Sequence, residues 1–240
     1  MLSIYKPYGF LMSDLTYKIK LTYPYINKFS YLNRLDIVAS GIVNFVINEE
    51  CKNIGLYKLK KYYYEWDIIF GISTDSQDIY GLINEINPYC IVNENKLYNL
   101  IDSYKKNYKQ KFPIFSTKKV HYKNKKKRLI DLYLKDNIII DQPKQDVSIF
   151  DIEICNSLTY RYLINNFIFD IKHINITKKN KKRILNILNQ YNQLDKTITF
   201  PTIKIKANVS SNTYIRQLTT DIADELNLCA ISYRIHRALF

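Results

Sequence analysis

Residues 32–41 read Leu-Asn-Arg-Leu-Asp-Ile-Val-Ala-Ser-Gly, and residues 42–47 continue as Ile-Val-Asn-Phe-Val-Ile. The Ser40-Gly41 pair predicts a turn, and the apolar run after it predicts a buried strand over 42–48. Asp36 precedes this turn and lies between two apolar residues. By itself the pattern is typical of an ordinary aspartate before a strand, so a chemical role for Asp36 depends on partners elsewhere in the chain.

Charge and composition narrow the class of protein. The 240 residues are 47% hydrophobic, which is enough for a folded core and argues against disorder. Thirty-six Lys and Arg against 22 Asp and Glu give a net charge of +14. This excess indicates a polyanionic partner, with nucleic acid as the first choice and an anionic membrane as the second. Only five residues are Gly, so an AT-rich genome is an alternative source of part of the lysine content.

The cysteines and histidines show no ligand spacing. The four Cys and three His are scattered, without a C-x-x-C pair or an H-E-x-x-H motif, so we expect reduced thiols, no disulfide framework and no metal site. No apolar run approaches the roughly 20 residues of a membrane-spanning helix, and we expect no signal peptide before the first motif. We therefore expect no membrane partner and a cytoplasmic protein, or one from the interior of an organelle or endosymbiont.

Hydropathy periodicity predicts strands and helices in mixed order. Residues 4–13 form a short strand closed by a Pro–Gly turn, with Ser13 as the N-cap of the helix that follows. Short apolar runs between 138 and 175 indicate strands of undefined register, and Thr177 is expected to cap a helix that opens with the basic run 178–183. The other predicted strands are 42–48, 60–71, 202–209 and 229–235, and the other predicted helices are 14–22, 50–58, 94–107 and 213–226. Since there is no repeat and no linker, we predict one compact domain over 1–240.

Glycine is rare, and its positions coincide with the predicted turns. Four of the five glycines lie in turns named above or in the polar segment after the strand 60–71. In a chain that has so few, those that remain at turns are expected to need a positive φ angle or a close approach of backbone. The positions are Gly9, Gly41, Gly71 and Gly81, with Gly55 as the fifth.

Five short motifs occur in order along the chain. Each is weak alone, and their order and spacing carry the information. They are Lys6-Pro7-Tyr8-Gly9; Leu35-Asp36-x-x-Ala39-Ser40-Gly41; Tyr64 with Gly71 and Thr74-Asp75-Ser76-x-Asp78-x-x-Gly81; Gln110-x-x-Pro113-x-Phe115-Ser116-x-x-Lys119; and Thr213-Tyr214-Ile215-Arg216-Gln217-Leu218.

This set of motifs resembles that of the bacterial TruB pseudouridine synthases. The resemblance implies an α+β fold, the pseudouridine synthase catalytic fold, with a mixed, mainly antiparallel sheet flanked by helices. It also implies isomerisation of uridine to pseudouridine at position 55, in the T loop of tRNA, without a cofactor. The implied partner is the T-arm stem-loop of tRNA, and we expect a monomer.

The resemblance also assigns roles to individual residues. Asp36 matches the nucleophilic aspartate, which attacks either the ribose or the uracil ring. Arg216 matches its partner, and a bidentate guanidinium would keep this carboxylate ionised and fix its direction. Tyr64 matches the tyrosine that stacks on the flipped base and assists proton transfer at C5, with core packing as the alternative. The residues expected to contact the substrate are Asp78, Tyr214, Ile235, Tyr31, Lys119 and Lys6. For Asp78 the alternative is a position behind the residues that touch the substrate.

Two basic runs bear on RNA binding. Residues 110–119 and the run 123–128, which leads into an amphipathic helix, resemble the insertion (about 108–137) with which the family grips the T arm. A solvated charge run is the alternative. The run 178–183 lies in a stretch, about 160–200, that is longer than the family norm. It is interpreted first as a solvated helix start and second as an RNA contact.

Three departures from the family pattern affect these expectations. Ser30-Tyr31 stand where the family has Gly-His, and we hypothesise that Tyr31 replaces the histidine by stacking on a base. Ser211-Asn212 replace Lys-Gly, and Asn tolerates a positive φ angle better than most residues. Arg34 before Leu-Asp resembles the RluA-type pseudouridine synthases, so an enzyme acting on ribosomal RNA is an alternative.

A second alternative comes from a different class of protein. It is a catalytically inactive tRNA-binding chaperone that folds the T arm. The joint presence of Asp36, Tyr64 and Arg216 favours the enzyme, because drift in a Gly-depleted chain would have damaged some of them. We also expect no C-terminal PUA domain, the small RNA-binding module that many TruB proteins carry.

Overall fold

The computed structural model describes residues 1–57, 59–174 and 180–238. The predicted cap Thr177 and the first two residues of the basic run 178–183 lie outside the described residues. The strands are β1 (Leu2–Lys6), β2 (Phe29–Tyr31), β3 (Ala39–Ile47), β4 (Lys61–Phe70), β5 (Ile72–Thr74), β6 (Ile83–Ile86), β7 (Asn107–Lys111), β8 (Lys119–Tyr122), β9 (Lys125–Arg128), β10 (Lys144–Ile154), β11 (Thr159–Leu163), β12 (Thr199–Ser210) and β13 (Ala230–Ala238). The helices are α1 (Met12–Thr22), α2 (Glu94–Ser103), α3 (Leu129–Asp136), α4 (Ile164–Lys172), α5 (Lys181–Gln193) and α6 (Ile215–Glu225), and a 3₁₀ segment spans Asn48–Tyr57.

One large sheet carries the site. Within the described residues it has nine strands, in the order β1-β3-β13-β4-β12-β10-β7, with β2 paired to β3 and β11 paired to β12. Its pairs are antiparallel except for β13 beside β3, which is parallel. The parallel pair brings Ile235 next to Ala39 and Arg237 next to Gly41. The last strand of the described chain is thereby placed against the loop that carries Asp36.

Side chains of β4 point alternately into two cores. Trp66, Ile68 and Phe70 are fully buried in a core that also holds apolar residues of α1, α2 and α6. Ile69 faces the opposite side, where α4 and α5 cover the sheet. Helices therefore flank a mixed, mainly antiparallel sheet, which confirms the predicted α+β fold.

Two predicted element ends are wrong for local reasons. Helix α1 starts at Met12, so Ser13 lies inside it, and the Asp14 carboxylate accepts the backbone N–H of Leu11 at 2.8 Å in place of a serine cap. The helix predicted over 94–107 ends at Ser103, because residues from Asn107 onward pair with β10 as strand β7. Across the described residues, no helix combines the length and apolar content needed to cross a membrane.

Between β11 and β12, the described residues of the stretch 160–200 form the two helices α4 and α5. Strands were predicted up to residue 175, but residues 164–172 form α4, which buries Ile164, Phe167, Ile168 and Ile171. These positions have the three- and four-residue spacing of a helix face, which the short apolar runs concealed. Helix α5 packs beside α4 and buries Ile184, Ile187 and Tyr191.

The basic run 123–128 lies in a hairpin before its predicted helix. Strands β8 and β9 pair antiparallel, with Lys119 opposite Arg128 and Tyr122 opposite Lys125. Helix α3 follows directly at Leu129. The hairpin presents a ladder of cationic side chains, most of them exposed.

Candidate active site

Asp36 lies in the loop between β2 and β3, and the side chain of Lys6, at the end of β1, binds the backbone of that loop. The Lys6 ammonium donates to the backbone oxygen of Ala39 at 2.6 Å and to that of Ile37 at 3.4 Å. Burial lowers the pKa of Lys6 to about 8, against the opposing charge of Asp36. Lys6 is fully buried, so the expectation that it contacts the substrate is wrong, and it holds the loop instead.

Arg216, in the first turn of α6, fixes the direction of the Asp36 carboxylate. Its Nε donates to Asp36 Oδ2 at 2.8 Å, while Nη1 donates to the backbone oxygen of Ser76 at 2.8 Å and Nη2 to that of Phe115 at 3.1 Å. The predicted pair is present, but it is not bidentate, because the two terminal nitrogens bind backbone. The Arg216 side chain is 4% exposed and that of Asp36 is 48% exposed. A buried cation thus presents a carboxylate to solvent.

Gln110 explains how α6 is held at this point. The fully buried Gln110 side chain accepts the backbone N–H of Tyr214 at 2.8 Å and donates to the Tyr214 carbonyl at 3.1 Å. Tyr214 is the residue immediately before α6. Strand β7 therefore sets the start of the helix, and with it the position of Arg216.

Asp78 lies behind Arg216 and not on the surface that a substrate would touch. Its carboxylate accepts from Ser76 Oγ at 2.6 Å and from the backbone N–H of Tyr80 at 2.8 Å, and it lies 3.7 Å from Arg216 Nε. Burial raises the pKa of Asp78 to about 6, although Arg216 opposes the shift. Two positions were expected for Asp78, in contact with the substrate or behind the residues that touch it, and its burial supports the second. Asp78 is a second carboxylate for the same guanidinium.

A cleft of about 690 Å³ opens in front of Asp36 and Arg216. Tyr64, Tyr214 and Ile235 also line it, as predicted for residues beside a substrate. Tyr64 is half-buried, and burial raises its pKa, so the phenol stays protonated at neutral pH. Burial also raises the pKa of Tyr214, in the same sense as the charge of Asp36.

Two predicted contact residues are not on the cleft wall. Lys119 is exposed on the hairpin β8–β9. Tyr31 packs edge-on against Phe45, and its hydroxyl accepts a hydrogen bond from Arg34, whose guanidinium lies 4.5 Å from the Tyr31 ring centre. Arg34 does line the cleft. The Tyr31 ring therefore supports Arg34 rather than facing the cleft itself.

Arg237 is a cleft residue that the sequence-based prediction missed. It is buried, it donates to Asn33 Oδ1 at 2.6 Å and to the Ile42 carbonyl, and its guanidinium lies 4.9 Å from the Tyr62 ring centre. A signal was available, since Arg237 is two residues beyond Ile235 on β13 and so shares its face. Arg237 connects the last strand to the Asp36 loop.

The arrangement suits covalent or acid–base chemistry on a flat, uncharged ring. A carboxylate paired with a buried guanidinium can act as a nucleophile or a base, and aromatic side chains beside it offer a stacking surface. In the part of the chain that the structure describes, no group of three or more His, Cys, Asp or Glu residues is placed to hold a metal ion.

Solved structures share the fold. A chain of a Cbf5–Nop10–Gar1 complex superposes with a TM-score of 0.58 at 13% identity, over 99% of this chain and 48% of that one. A chain of an H/ACA RNP bound to a substrate RNA containing 2′-deoxyuridine gives a TM-score of 0.54 at 12% identity, over 99% and 46%. At these identities the likeness concerns the fold.

Curated relatives are similar over nearly the whole chain. The tRNA pseudouridine synthase B of Caldicellulosiruptor saccharolyticus is 24% identical over 97% of this chain and 64% of its own length, and that of Lactobacillus johnsonii is 26% identical over 97% and 65%. That of Ureaplasma urealyticum is 28% identical over 93% and 78%. The chain thus spans slightly less than two thirds of the length of the first two relatives.

A family model decides the assignment. The description of that model is TruB family pseudouridylate synthase (N-terminal domain), and it matches residues 20–173. The match covers well over half of the chain and includes Asp36, Tyr64, Asp78 and the hairpin β8–β9. The chain belongs to the TruB family of pseudouridylate synthases.

Proposed function

We propose that this protein isomerises uridine to pseudouridine at position 55 in the T loop of tRNA, with Asp36 as the nucleophile. The observation that carries the proposal is the half-exposed Asp36 carboxylate, held at 2.8 Å by the buried Arg216 in a cleft lined by Tyr64. Membership of the TruB family of pseudouridylate synthases supports this reaction. The curated relatives are named tRNA pseudouridine synthase B, which supports tRNA as the substrate.

The reaction exchanges one bond to the ribose for another. The glycosidic bond from N1 to C1′ breaks, a bond from C5 to C1′ forms, the proton on C5 is removed and N1 gains a proton. Asp36 attacks the uridine, at the ribose or at the ring, while the hydrogen bond from Arg216 fixes the direction of its carboxylate. The bond that Asp36 forms breaks again before the product leaves. Tyr64 stacks on the base and assists proton transfer at C5. Because burial keeps its hydroxyl protonated, the oxygen accepts the C5 proton only as the hydroxyl passes its own proton on, to solvent or towards N1.

A uridine inside a folded loop has to leave its stack before it reaches the cleft. Extrusion costs a few kcal/mol, which stacking on aromatic residues and contacts to phosphate offset. Tyr64 and Tyr214 supply aromatic surface beside Asp36. The exposed lysines of the hairpin β8–β9 supply positive charge for the T arm, consistent with the net charge of +14.

The proposal is tested on an unmodified tRNA T-arm stem-loop, with pseudouridine detected by carbodiimide labelling and primer extension. We expect the wild type to convert the T-loop uridine, and Asp36→Asn to slow conversion by about a thousandfold or more, since the amide is not a nucleophile. Asp36→Asn is expected to retain RNA binding. The matched control is Asp141→Asn, a change at an exposed aspartate, which should convert like the wild type.

Other outcomes separate the alternatives. Binding of the stem-loop without conversion by the wild type would overturn the proposal in favour of a tRNA chaperone. Conversion of ribosomal RNA alone would identify the other RNA class, for which Arg34 on the cleft wall is the supporting observation. Equal rates for wild type and Asp36→Asn would remove Asp36 as nucleophile while leaving the activity in place.

A further inference from the structure

One side chain of helix α5, that of Arg183, contacts both the turn 74–82 and the ring of Phe115. Arg183 Nη2 lies 2.5 Å from Asp75 Oδ1, and its guanidinium carbon lies 4.5 Å from the centre of the Phe115 ring. The side chains of Arg183 and Asp75 are 17% and 5% exposed, so this ion pair is shielded from water. A shielded pair with defined partners constrains geometry more than a surface pair does.

The partners of Arg183 are themselves tied together. The Asp75 carboxylate also accepts the backbone N–H of Leu82 at 2.9 Å and the hydroxyl of Tyr133 at 3.2 Å. The Tyr133 ring in turn lies edge-on to Phe115, with ring centres 5.4 Å apart. The turn 74–82, the insertion that carries Phe115 and Tyr133, and helix α5 therefore meet at one cluster: Asp75, Phe115, Tyr133 and Arg183.

This cluster is joined to the catalytic arginine through backbone. The two carbonyls that bind the terminal nitrogens of Arg216 belong to Ser76 and Phe115. Ser76 follows Asp75 directly, and Phe115 is the residue whose ring Arg183 covers. Both anchors of the Arg216 guanidinium are thus held, within one residue, by contacts with Arg183.

We propose that Arg183 is a positioning residue for Arg216, and through it for the Asp36 carboxylate. The inference rests on the proposed function and deepens it: helix α5, on the back face of the sheet, sets the direction of the nucleophile. The role requires a guanidinium, because one planar group has to pair with Asp75 and stack on Phe115 at the same time. Lysine retains the charge but loses the flat surface.

The first test observes Arg216 directly and does not depend on activity. Arginine labelled with ¹⁵N gives side-chain Nε–Hε signals, and that of Arg216 is assigned with Arg216→Lys. We expect the Arg216 signal to shift or broaden in Arg183→Met and, to a smaller extent, in Arg183→Lys. The control Lys182→Met changes an exposed residue of the same helix and should leave the signal in place. An unchanged Arg216 signal in a folded Arg183→Met protein overturns the proposal.

The second test separates positioning from RNA contact and from folding. Single-turnover conversion of the T-arm stem-loop, at saturating protein, should fall about tenfold in Arg183→Met, since misplacing a reacting group is costly. The dissociation constant for the stem-loop should stay within about twofold. A weaker dissociation constant with an unchanged rate would make Arg183 an RNA contact and overturn the proposal.

Remaining outcomes are also decisive. If Arg183→Met does not fold, Arg183→Lys carries both measurements: a reduced rate with a perturbed Arg216 signal supports the proposal, and wild-type values for both overturn it. If the wild type makes no pseudouridine, the proposed function fails, and the Arg216 signal still decides whether Arg183 positions that side chain.

Discussion

One buried cation at this site faces two carboxylates of different exposure. Arg216 binds Asp36 at 2.8 Å and lies 3.7 Å from Asp78, and the Asp36 side chain is 48% exposed against 6% for Asp78. Burial by itself lowers the pKa of Arg216, but the charges of Asp36 and Asp78, the hydrogen bond to Asp36 and the charge of Tyr214 together raise it above its usual value. Because Asp78 is buried, its ionisation is costly even beside Arg216, and its pKa of about 6 expresses that cost.

This cost predicts a pH dependence of stability. Between the ordinary pKa of 3.8 and the folded value of about 6, folded Asp78 holds a proton that the unfolded chain has released, so stability falls as pH rises through this window. We expect the free energy of unfolding of the wild type, relative to Asp78→Asn, to decrease by about 2 kcal/mol from pH 4 to pH 7. Urea unfolding at several pH values measures it. A difference that is constant with pH would contradict the burial of the charge, and Asp141→Asn is the exposed control.

Among the structural elements, the meeting of β1, β3 and β13 positions the loop that carries Asp36. Gly41 pairs with Lys6 on one side and with Arg237 on the other, and its φ angle is +132°. A Cβ at this position would lie 2.4 Å from the backbone oxygen of Arg237. Glycine is therefore required here by close approach and by conformation together.

Substitution of this glycine is expected to be costly. Gly41→Ala should lower the free energy of unfolding by about 2 kcal/mol or more, because the backbone has to shift or accept strain. Gly55→Ala is the matched control, since a Cβ at residue 55 meets no atom within 4 Å and should change stability by less than about 0.5 kcal/mol. Both are measured by urea unfolding, and equal effects would show that the close approach at Gly41 does not matter.

Some elements could be predicted and others could not, for physical reasons. Strand β4 and helix α6 were recognisable because their buried faces repeat with period two and with spacings of three and four. The pairing of Asp36 with Arg216 was implied by the resemblance of the motifs to the TruB family. The terminal contacts of Arg216 did not, because they are made with the backbone oxygens of Ser76 and Phe115, whose positions depend on tertiary structure. Helix α4 was missed because its apolar residues also suit a strand.

For the molecule as a whole, the question is where its charge of +14 acts. On the hairpin, Lys127 and Arg128 form ion pairs with Asp136 and Asp131. Their neighbours Lys119, Lys123, Lys125 and Lys126 are exposed, and Lys119 is the predicted RNA contact of this set. Two cationic side chains of the hairpin therefore pair with aspartates of helix α3, and the four lysines are exposed to solvent.

Salt dependence of RNA binding tests this division. We expect replacement of Lys119, Lys125 and Lys126 by Ala to weaken T-arm binding and to reduce the slope of log Kd against log salt concentration by about two, since each lost phosphate contact removes counterion release. The control replaces exposed lysines of other elements, Lys52, Lys96 and Lys172, in the same way. Fluorescence anisotropy at several salt concentrations gives both slopes. Equal reductions for the two triple variants would assign binding to overall charge and not to the hairpin.

Asp36 and Arg216 are 180 positions apart in the chain, so the ribosome synthesises the two partners of this ion pair at different times. At about 5–20 residues per second, a ribosome needs roughly 10–40 s to travel from the first to the second. Throughout that interval a nascent chain carries the carboxylate without the arginine that will hold it. Ser76 and Phe115, whose backbone oxygens bind the same guanidinium, are synthesised after Asp36 and before Arg216. The pair between Asp36 and Arg216 therefore cannot form before residue 216 has been made, and an interrupted translation product that ends earlier lacks the cation that holds the Asp36 carboxylate.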